Sequence, residues 1–306
     1  MVGSGSPQRP PFLRDTPSPG AKCRSPQHLV TDMETHFEKQ DLSIPLRDPA
    51  IREAIRMLDL PEGSDGLDAG CGIGSHTLLL AEAVGPGGHV TGLELFADFV
   101  THAQAQAKRA GLSERVSIRQ GNVTAMPFDD QSFDWAWSVD CVGQVSIGQP
   151  LGGLRELARV VRPGGRVAIL GYSSQMLLPG FPRLEARLNA TASATTALAE
   201  GKAPQAQFTR ALGWFQEAGF VDPTARTVVG TVQAPLEDGV RRALISLFGM
   251  LWGEMRSGMT DSDRDEYLRL TEPESPDFIL DEPDYYAFFT YSMFEGRVAK
   301  KEVRNV

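Results

Sequence analysis

The sequence predicts a doubly wound α/β fold, in which helices cover both faces of a mostly parallel sheet. Between residues 66 and 172, strand-like segments alternate with amphipathic segments of helical length. This is the pattern of βαβ units with right-handed crossovers. A glycine-rich turn joins the first strand to the first helix of this series, where sheets of this kind often bind a ligand. Two further strand-like segments near the end predict a C-terminal antiparallel hairpin.

The alternation can be followed along the chain. Before it, a helical pattern runs from about His28 to Leu60, and Pro49 suits the first turn of a helix. Five strands are then predicted, in GLD, HVTGLEL, RVSIRQGN, FDWAWSVD and RVAILGY. The helices associated with them are predicted in SHTLLLAEAV, FADFVTHAQAQAKRAG and GGLRELARVVRPGG.

The later part of the chain contains two insertions that we expect to form a helical cap over a pocket. The first follows the fifth strand, at about 173–206. A helix in FTRALGWFQEAGF and a strand in ARTVVGTV come next, and the second insertion occupies about 236–283. The last strand is predicted in YYAFFTYSMFEGRVA, because aromatic and β-branched residues favour strands. Long insertions at the carboxyl edge of an open sheet usually serve a site.

Composition and charge restrict the class of protein. The 306-residue chain has a formal net charge of −9, whereas proteins that bind nucleic acid generally present a basic field. No apolar run approaches the roughly 20 residues that span a bilayer. Three separated cysteines, Cys23, Cys71 and Cys141, predict reduced thiols in the cytoplasm. We therefore expect a cytoplasmic protein with neither a nucleic-acid nor a membrane partner.

The N-terminal residues differ in composition from the rest. Residues 1–27 are rich in Pro, Ser and Gly and predict a disordered tail ahead of a single domain at 28–306. The five histidines are scattered without the spacing of metal ligands, so no metal site is predicted. Nothing in the sequence predicts the oligomeric state.

The glycine-rich turn, LDAGCGIG at 67–74, distinguishes between two kinds of ligand. The nicotinamide-dinucleotide fingerprint requires a third glycine where this chain has Ser75. Asp68 precedes the glycines, and its carboxylate would repel a pyrophosphate but attract an ammonium group. S-adenosylmethionine carries such an ammonium group and no phosphate. Glu94 lies 20 residues after Gly74, the distance expected of a carboxylate that binds both hydroxyls of a ribose.

Four segments together resemble one family. LDAGCGIG, GPGGHVTGLEL, GNVTAMPFDDQSFDWAWS and ELARVVRPGGRVAILGY are similar to segments of class I S-adenosylmethionine-dependent methyltransferases, in particular the small-molecule enzymes of the ubiquinone and menaquinone branch. The resemblance covers about residues 50–172. It implies a Rossmann-like sheet of seven strands and S-adenosyl-L-methionine as the cofactor.

The resemblance also implies cofactor contacts. Asp68, Gly70 and Gly72 would line the methionine end, Glu94 the ribose, and Asn122 with Val123 the adenine. Many family members carry Asp where this chain has Asn122, whose amide oxygen can still accept a hydrogen bond from the adenine amino group. The predicted cofactor-binding set is completed by Cys71, Gly74, Leu95 and Ser138. A turn-forming Asn122, a solvated Glu94 and a space-filling Cys71 remain alternatives.

The predicted acceptor pocket follows the fourth strand. Asp140 is the predicted catalytic polar group facing the acceptor, with His36 behind it, and a solvated loop aspartate is the alternative. His76 is interpreted as a helix-start residue rather than a base. In the second insertion, Phe248 and Trp252 are predicted to border the pocket, beside an apolar stripe that packs on the domain. A purely structural helix is the alternative there.

These features predict an enzyme that transfers a methyl group from S-adenosylmethionine to a small-molecule acceptor. An RNA or protein methyltransferase remains open and would require a basic groove around the pocket. A non-catalytic S-adenosylmethionine-binding module also remains open and would leave no room for an acceptor. A nicotinamide-dependent oxidoreductase is disfavoured, because the third glycine of its fingerprint is missing.

Overall fold

The computed structural model describes residues 26–143, 150–190, 204–253 and 259–300, with side chains from Gln40 onward. The chain divides into an N-terminal unit, Met1–His36, and a main unit, Phe37–Val306. Residues 1–25 of the predicted tail lie outside the described residues, so the boundary between tail and domain stays a prediction.

The main unit contains one seven-stranded sheet, which confirms the predicted doubly wound α/β fold. Its strands are β1 Asp65–Ala69, β2 His89–Glu94, β3 Val116–Gln120, β4 Phe133–Val139, β5 Val161–Met176, β6 Phe220–Gln233 and β7 Tyr286–Val298. They lie in the order β3-β2-β1-β4-β5-β7-β6. Strands β1 to β5 are parallel, and β7 is antiparallel to both of its neighbours. The order reverses between β1 and β4, and the carboxyl ends of such strands form the usual ligand crevice.

Eight α-helices are described. They are α1 Pro26–Leu58, α2 Ser75–Ala83, α3 Ala97–Arg109, α4 Pro150–Val160, α5 Pro182–Asn189, α6 Ala211–Glu217, α7 Asp238–Trp252 and α8 Asp261–Thr271. In the described ranges, none of the helices has both the length and the hydropathy required to cross a bilayer.

The position of Pro49 in α1 corrects one expectation. The sequence pattern placed Pro49 in the first turn of a helix, but α1 begins at Pro26 and continues through both Pro45 and Pro49. A proline inside a helix removes a backbone hydrogen bond. Leu46 and Ile51 are buried on either side of Pro49. Burial of this face against the sheet stabilises the helix enough to offset the missing bond.

The two faces of the sheet have separate cores. Helices α1, α2 and α3 contribute to one core together with α5, α7 and α8, whereas α4 and α6 contribute to the other. On β4, Trp135, Trp137 and Val139 belong to the first core and Ala136 to the second. This alternation follows from the period of two along a strand. Helix α1 contributes to the first core, on the same face of the sheet as Trp135 and Trp137.

The described parts of the two predicted insertions contain the helices α5, α7 and α8. Strand β5 continues to Met176, so the first residues of the insertion at 173–206 extend the sheet. Helix α5 follows, and residues 191–203 lie outside the described residues. Arg187 of α5 forms an ion pair with Asp263 of α8 at 2.5 Å. Helix α5 therefore connects the two insertions directly.

Candidate active site

Three positions of the turn between β1 and α2 are glycines, because neighbouring atoms leave little space for a Cβ there. Gly70, Gly72 and Gly74 have φ angles of +81°, +53° and +86°, which strain any residue with a Cβ. A Cβ on Gly70 would lie 2.1 Å from Cys141 Sγ, and one on Gly74 would lie 2.8 Å from Ala103 Cβ. The glycine turn therefore passes directly beside the segment that follows β4.

Glu94, the last residue of β2, holds this turn in place. Its Oε2 accepts a hydrogen bond from Gly72 N at 3.1 Å, and its Oε1 accepts one from Phe96 N at 3.0 Å. Glu94 itself is buried, whereas the next two side chains, Leu95 and Phe96, are 51% and 57% exposed. A carboxylate next to two exposed apolar side chains suits a sugar joined to a flat base. The sequence reasoning had not included Phe96.

Asp68 is buried beneath the same turn. It is 1% exposed, and its Oδ2 accepts a hydrogen bond from Thr77 Oγ1 at 2.7 Å. Burial raises the pKa of Asp68 to about 7; the hydrogen bond from Thr77 lowers it, and the charge of Glu94 raises it further. Two buried carboxylates therefore lie beside the glycine turn. A cationic group would compensate their charge, whereas a pyrophosphate would add to it.

In the structure, the side chains of Asn122 and Ser138 are hydrogen-bonded to nearby protein atoms. The Oδ1 atom of Asn122 accepts hydrogen bonds from Thr124 N and Thr124 Oγ1, both at 2.9 Å, which is an Asx turn. The Asn122 side chain is exposed and Val123 is buried. Ser138 Oγ donates to Ala69 O at 2.8 Å and so joins the carboxyl ends of β4 and β1. The contacts of all three with the cofactor stay predictions.

Both described cysteines are free thiols: Cys71 is buried and Cys141 is half-buried. Burial raises the pKa of Cys71 well above its usual value and that of Cys141 to about 12. A protonated thiol is a poor nucleophile. Cys141 packs against Gly70, and a contact of Cys71 with the cofactor stays a prediction beside its space-filling alternative.

Asp140 is held by donors from three elements. Its Oδ2 accepts hydrogen bonds from Arg47 Nη2 of α1 at 2.8 Å and from Tyr291 Oη of β7 at 3.3 Å. Its Oδ1 accepts a third from Tyr172 N of β5 at 2.9 Å. Because these donors occupy both of its oxygens, the carboxylate orients Arg47 and Tyr291. The next residue, Cys141, lies against the glycine turn, so this cluster borders the turn.

Helix α1 connects the two parts of the site. A Cβ on Gly72 would lie 2.9 Å from Gln40 Oε1, so α1 passes over the glycine turn. Arg47 lies two helical turns after Gln40, on the same face, and forms the ion pair with Asp140. Burial and the charge of Arg47 lower the pKa of the nearby His76 to about 3, so its imidazole is neutral. The side chain of His36 lies outside the described residues.

Phe248 and Trp252 lie in the interior of the cap. Their rings stack with centroids 5.9 Å apart, and Tyr267 meets the indole edge-on at 6.2 Å. Trp252 Nε1 donates a hydrogen bond to Asn189 Oδ1 of α5 at 2.9 Å. Each of these contacts joins cap elements to one another. The structural alternative accounts for this geometry, and a role in the acceptor pocket stays a prediction.

Residues 67–165, which run from β1 into β5, match the family of methyltransferase domains. This stretch therefore resembles a methyltransferase domain. It contains the glycine turn, Asp68, Glu94 and Asp140, and it excludes α1 and the cap. The resemblance that the sequence motifs indicated is thereby confirmed.

Two curated relatives match part of this chain. A demethylmenaquinone methyltransferase of Bacillus cytotoxicus is 35% identical over 133 residues, which are 44% of this chain and 54% of that protein. The enzyme of the same name from Listeria welshimeri is 32% identical over 133 residues, which are 44% of this chain and 55% of that protein. The chain thus spans about half the length of these relatives.

A solved structure extends the likeness beyond the methyltransferase core. The YcgJ protein of Bacillus subtilis aligns with a TM-score of 0.53 at 16% identity, covering 83% of this chain and 99% of that one. At this level of identity the likeness concerns the fold alone. It supports the seven-stranded arrangement described above.

Proposed function

We propose that this protein transfers a methyl group from S-adenosylmethionine to a small-molecule acceptor. The observation that supports this most is the glycine turn itself, where bare backbone meets two buried carboxylates. S-adenosylmethionine fits these groups. Its ammonium would lie near Asp68, its ribose hydroxyls would bind Glu94, and its adenine would cover Leu95 and Phe96. When bound, S-adenosylmethionine supplies a methyl group that is bonded to a sulfonium sulfur. That sulfur is the leaving group, and it leaves readily.

The protein's own contribution would be alignment and exclusion of water. Helix α1 covers the glycine turn and, through Arg47, also holds Asp140. Burial raises the pKa of Tyr172 and of Tyr291 above that of a free phenol. His76, with a pKa of about 3, is a weak base. Among the described side chains around Asp140, the two tyrosines thus act as hydrogen-bond donors, and none of the three groups named here is a base with a pKa near neutral pH.

The acceptor we propose is small and partly apolar. The relatives named demethylmenaquinone methyltransferases support this choice, as does the net charge of −9, which disfavours RNA. The sequence likewise supports a cytoplasmic location, since its few cysteines predict reduced thiols. A mass-spectrometric screen of metabolite extracts for products heavier by one CH2 would test catalysis. A protein that binds the cofactor but methylates nothing in such extracts would be a binding module.

The cofactor assignment predicts a selective binding profile. Calorimetry should detect binding of S-adenosylhomocysteine and none of NAD. Glu94→Ala should weaken S-adenosylhomocysteine binding by about 1–3 kcal/mol, because the ribose hydroxyls lose a charged acceptor. Glu82→Ala, which removes an exposed glutamate from α2, is the control and should bind as the wild type does. Binding of NAD without binding of S-adenosylhomocysteine would show that the proposed function is wrong.

Asp140 provides a second prediction, on turnover. Asp140→Asn removes the ion pair with Arg47 and should lower turnover of an identified acceptor about ten- to hundredfold, since hydrogen bonds to charged groups contribute roughly 1.5–3 kcal/mol. Affinity for S-adenosylhomocysteine should stay nearly unchanged. Asp130→Asn, at an exposed aspartate paired with Arg159, is the matched control. Full activity of Asp140→Asn would make Asp140 a passive loop residue.

A further inference from the structure

We propose that the free edge of β6 binds the same edge of a second copy of this chain, so that two sheets join into one around a twofold axis. In the described part of the chain, β6 is the last strand of the sheet and pairs only with β7. A strand in this position leaves backbone N–H and C=O groups unpaired along its outer side. This inference concerns assembly and does not depend on the proposed function.

The start of β6 is protected against such pairing, whereas its later part is not. Proteins usually protect an edge strand with prolines, bulges or charges. Pro223 and a shift of register between Val221 and Thr224 interrupt the ladder near the start of the strand. The stretch 227–233, TVVGTVQ, contains neither a proline nor a charged residue, and five of its seven residues are β-branched. This stretch is therefore open to a further strand.

The stretch presents uncharged side chains on both faces of the sheet. Val228 belongs to the first core, and the half-buried Val232 packs against that core. Between them, a Cβ on Gly230 would lie 2.2 Å from Phe289 Cζ, so a ring from β7 covers the glycine. Val229 is on the opposite face and is 54% exposed. A partner strand would find aliphatic side chains on either face.

The stretch is complementary to itself in antiparallel orientation, and for this reason the partner is a second copy. Gly230 is the midpoint of 227–233, and the twofold axis passes between the Gly230 residues of the two copies. Each Val228 then lies opposite Val232 of the second copy, and each Val229 lies opposite its Thr231. Aliphatic and β-branched side chains pair favourably across strands. A twofold axis requires such a self-complementary patch.

The charges along this edge allow two copies to approach. The chain has a net charge of −9, which opposes association of most of its surface with itself. Residues 223–236, however, contain no Asp or Glu, and Arg226 is their only charged residue. Arg226 forms an ion pair with Glu295 of its own copy at 3.5 Å and would lie opposite Ala234 of the second copy. The pairing thus places no like charges opposite each other.

Sedimentation equilibrium of the full chain tests the assembly. From low micromolar to several hundred micromolar protein, it should show a monomer–dimer equilibrium with a micromolar Kd, because seven residues a side is fewer than the roughly 20–30 of a standard interface. Val229→Lys should weaken dimerisation at least about tenfold, since the two lysines would be diagonal neighbours across the axis. Met250→Lys, the same kind of change at an exposed residue of α7, should dimerise as the wild type does. A wild type that is monomeric throughout this range would overturn the proposal, as would unaltered dimerisation of Val229→Lys.

A mixture of two variants tests the pairing register. Thr231→Glu, at an exposed position, should also weaken dimerisation when it is the only variant present, because its two carboxylates would be diagonal neighbours. In an equimolar mixture of Val229→Lys and Thr231→Glu, each lysine lies opposite a glutamate, so heterodimers should form with about the wild-type affinity. Thermal melting checks that each variant is folded. A mixture that stays monomeric would contradict the pairing.

Amide hydrogen exchange provides a readout that dimerisation through another surface would not change. In the wild type, the protection of amides within 227–233 should increase with protein concentration, because the second copy supplies acceptors for the free N–H groups of the edge. In Val229→Lys, this protection should not depend on concentration in the same range. A wild-type dimer whose 227–233 amides exchange as fast as those of the monomer would contradict pairing through β6.

Discussion

Asp68→Asn is expected to stabilise the free protein at pH 8 while weakening its affinity for a cationic ligand. The pKa of Asp68 rises from 3.8 to about 7 on folding, mainly because the carboxyl is buried. The stability that this group contributes is therefore complete below about pH 4 and is lost as the pH rises through 7. The amide carries no charge and can still accept the hydrogen bond from Thr77.

The gain should appear in urea unfolding of the ligand-free protein. At pH 8, the free energy of unfolding of Asp68→Asn should exceed that of the wild type by about 1–4 kcal/mol, since each pKa unit corresponds to about 1.4 kcal/mol. The difference should close as the pH falls toward 4. Asp65→Asn, at the exposed first residue of β1, is the control and should show no such gain. A less stable Asp68→Asn at pH 8 would contradict the argument.

The effect on ligands depends on their charge. Asp68→Asn should bind S-adenosylmethionine roughly tenfold more weakly at pH 8, because the ammonium group loses its counter-charge. Binding of 5′-methylthioadenosine, which lacks the ammonium, should not change. In the wild type, the affinity for S-adenosylmethionine should fall as the pH decreases below about 7, where Asp68 takes up a proton. Equal weakening for both ligands would place the ammonium elsewhere.

Trp252→Ala is expected to destabilise the protein by about 3–5 kcal/mol, the usual cost of removing a large buried aromatic side chain. The indole is fully buried, stacks on Phe248 and donates to Asn189. Asn189 also accepts a hydrogen bond from Gln175 at 2.7 Å, so Trp252 belongs to a polar connection between the cap and β5. Thermal melting and urea unfolding measure the loss.

Trp252→Phe provides the matched comparison. It keeps a ring on Phe248 but removes the N–H donor, so the expected loss is only about 1–2 kcal/mol. Kinetics with an identified acceptor, at a temperature where this variant is folded, then separate the two interpretations of the cap. An unchanged KM for the acceptor fits a structural helix. A raised KM with unchanged S-adenosylhomocysteine affinity would support the predicted pocket role. An unaltered melting temperature of Trp252→Ala would contradict the burial argument.

The fold and the glycine turn could be predicted from the sequence, because the interactions that specify them are local. The alternation of strand and helix patterns predicted the first five strands, and two strand-like segments near the end predicted the other two. The spacing from the turn to Glu94 follows from a single βαβ unit. Asn122 was less predictable, since the same residue suits either an adenine contact or the Asx turn with Thr124 that the structure contains.

The surroundings of Asp140 were decided only by the tertiary structure. Its partners Arg47, Tyr172 and Tyr291 lie 93, 32 and 151 residues away along the chain. They meet because α1 packs over the sheet and because β7 inserts antiparallel beside β5. No local pattern distinguishes Arg47 from the other arginines of α1. Such clusters depend on which strands become neighbours, and burial of the whole sheet decides that pairing.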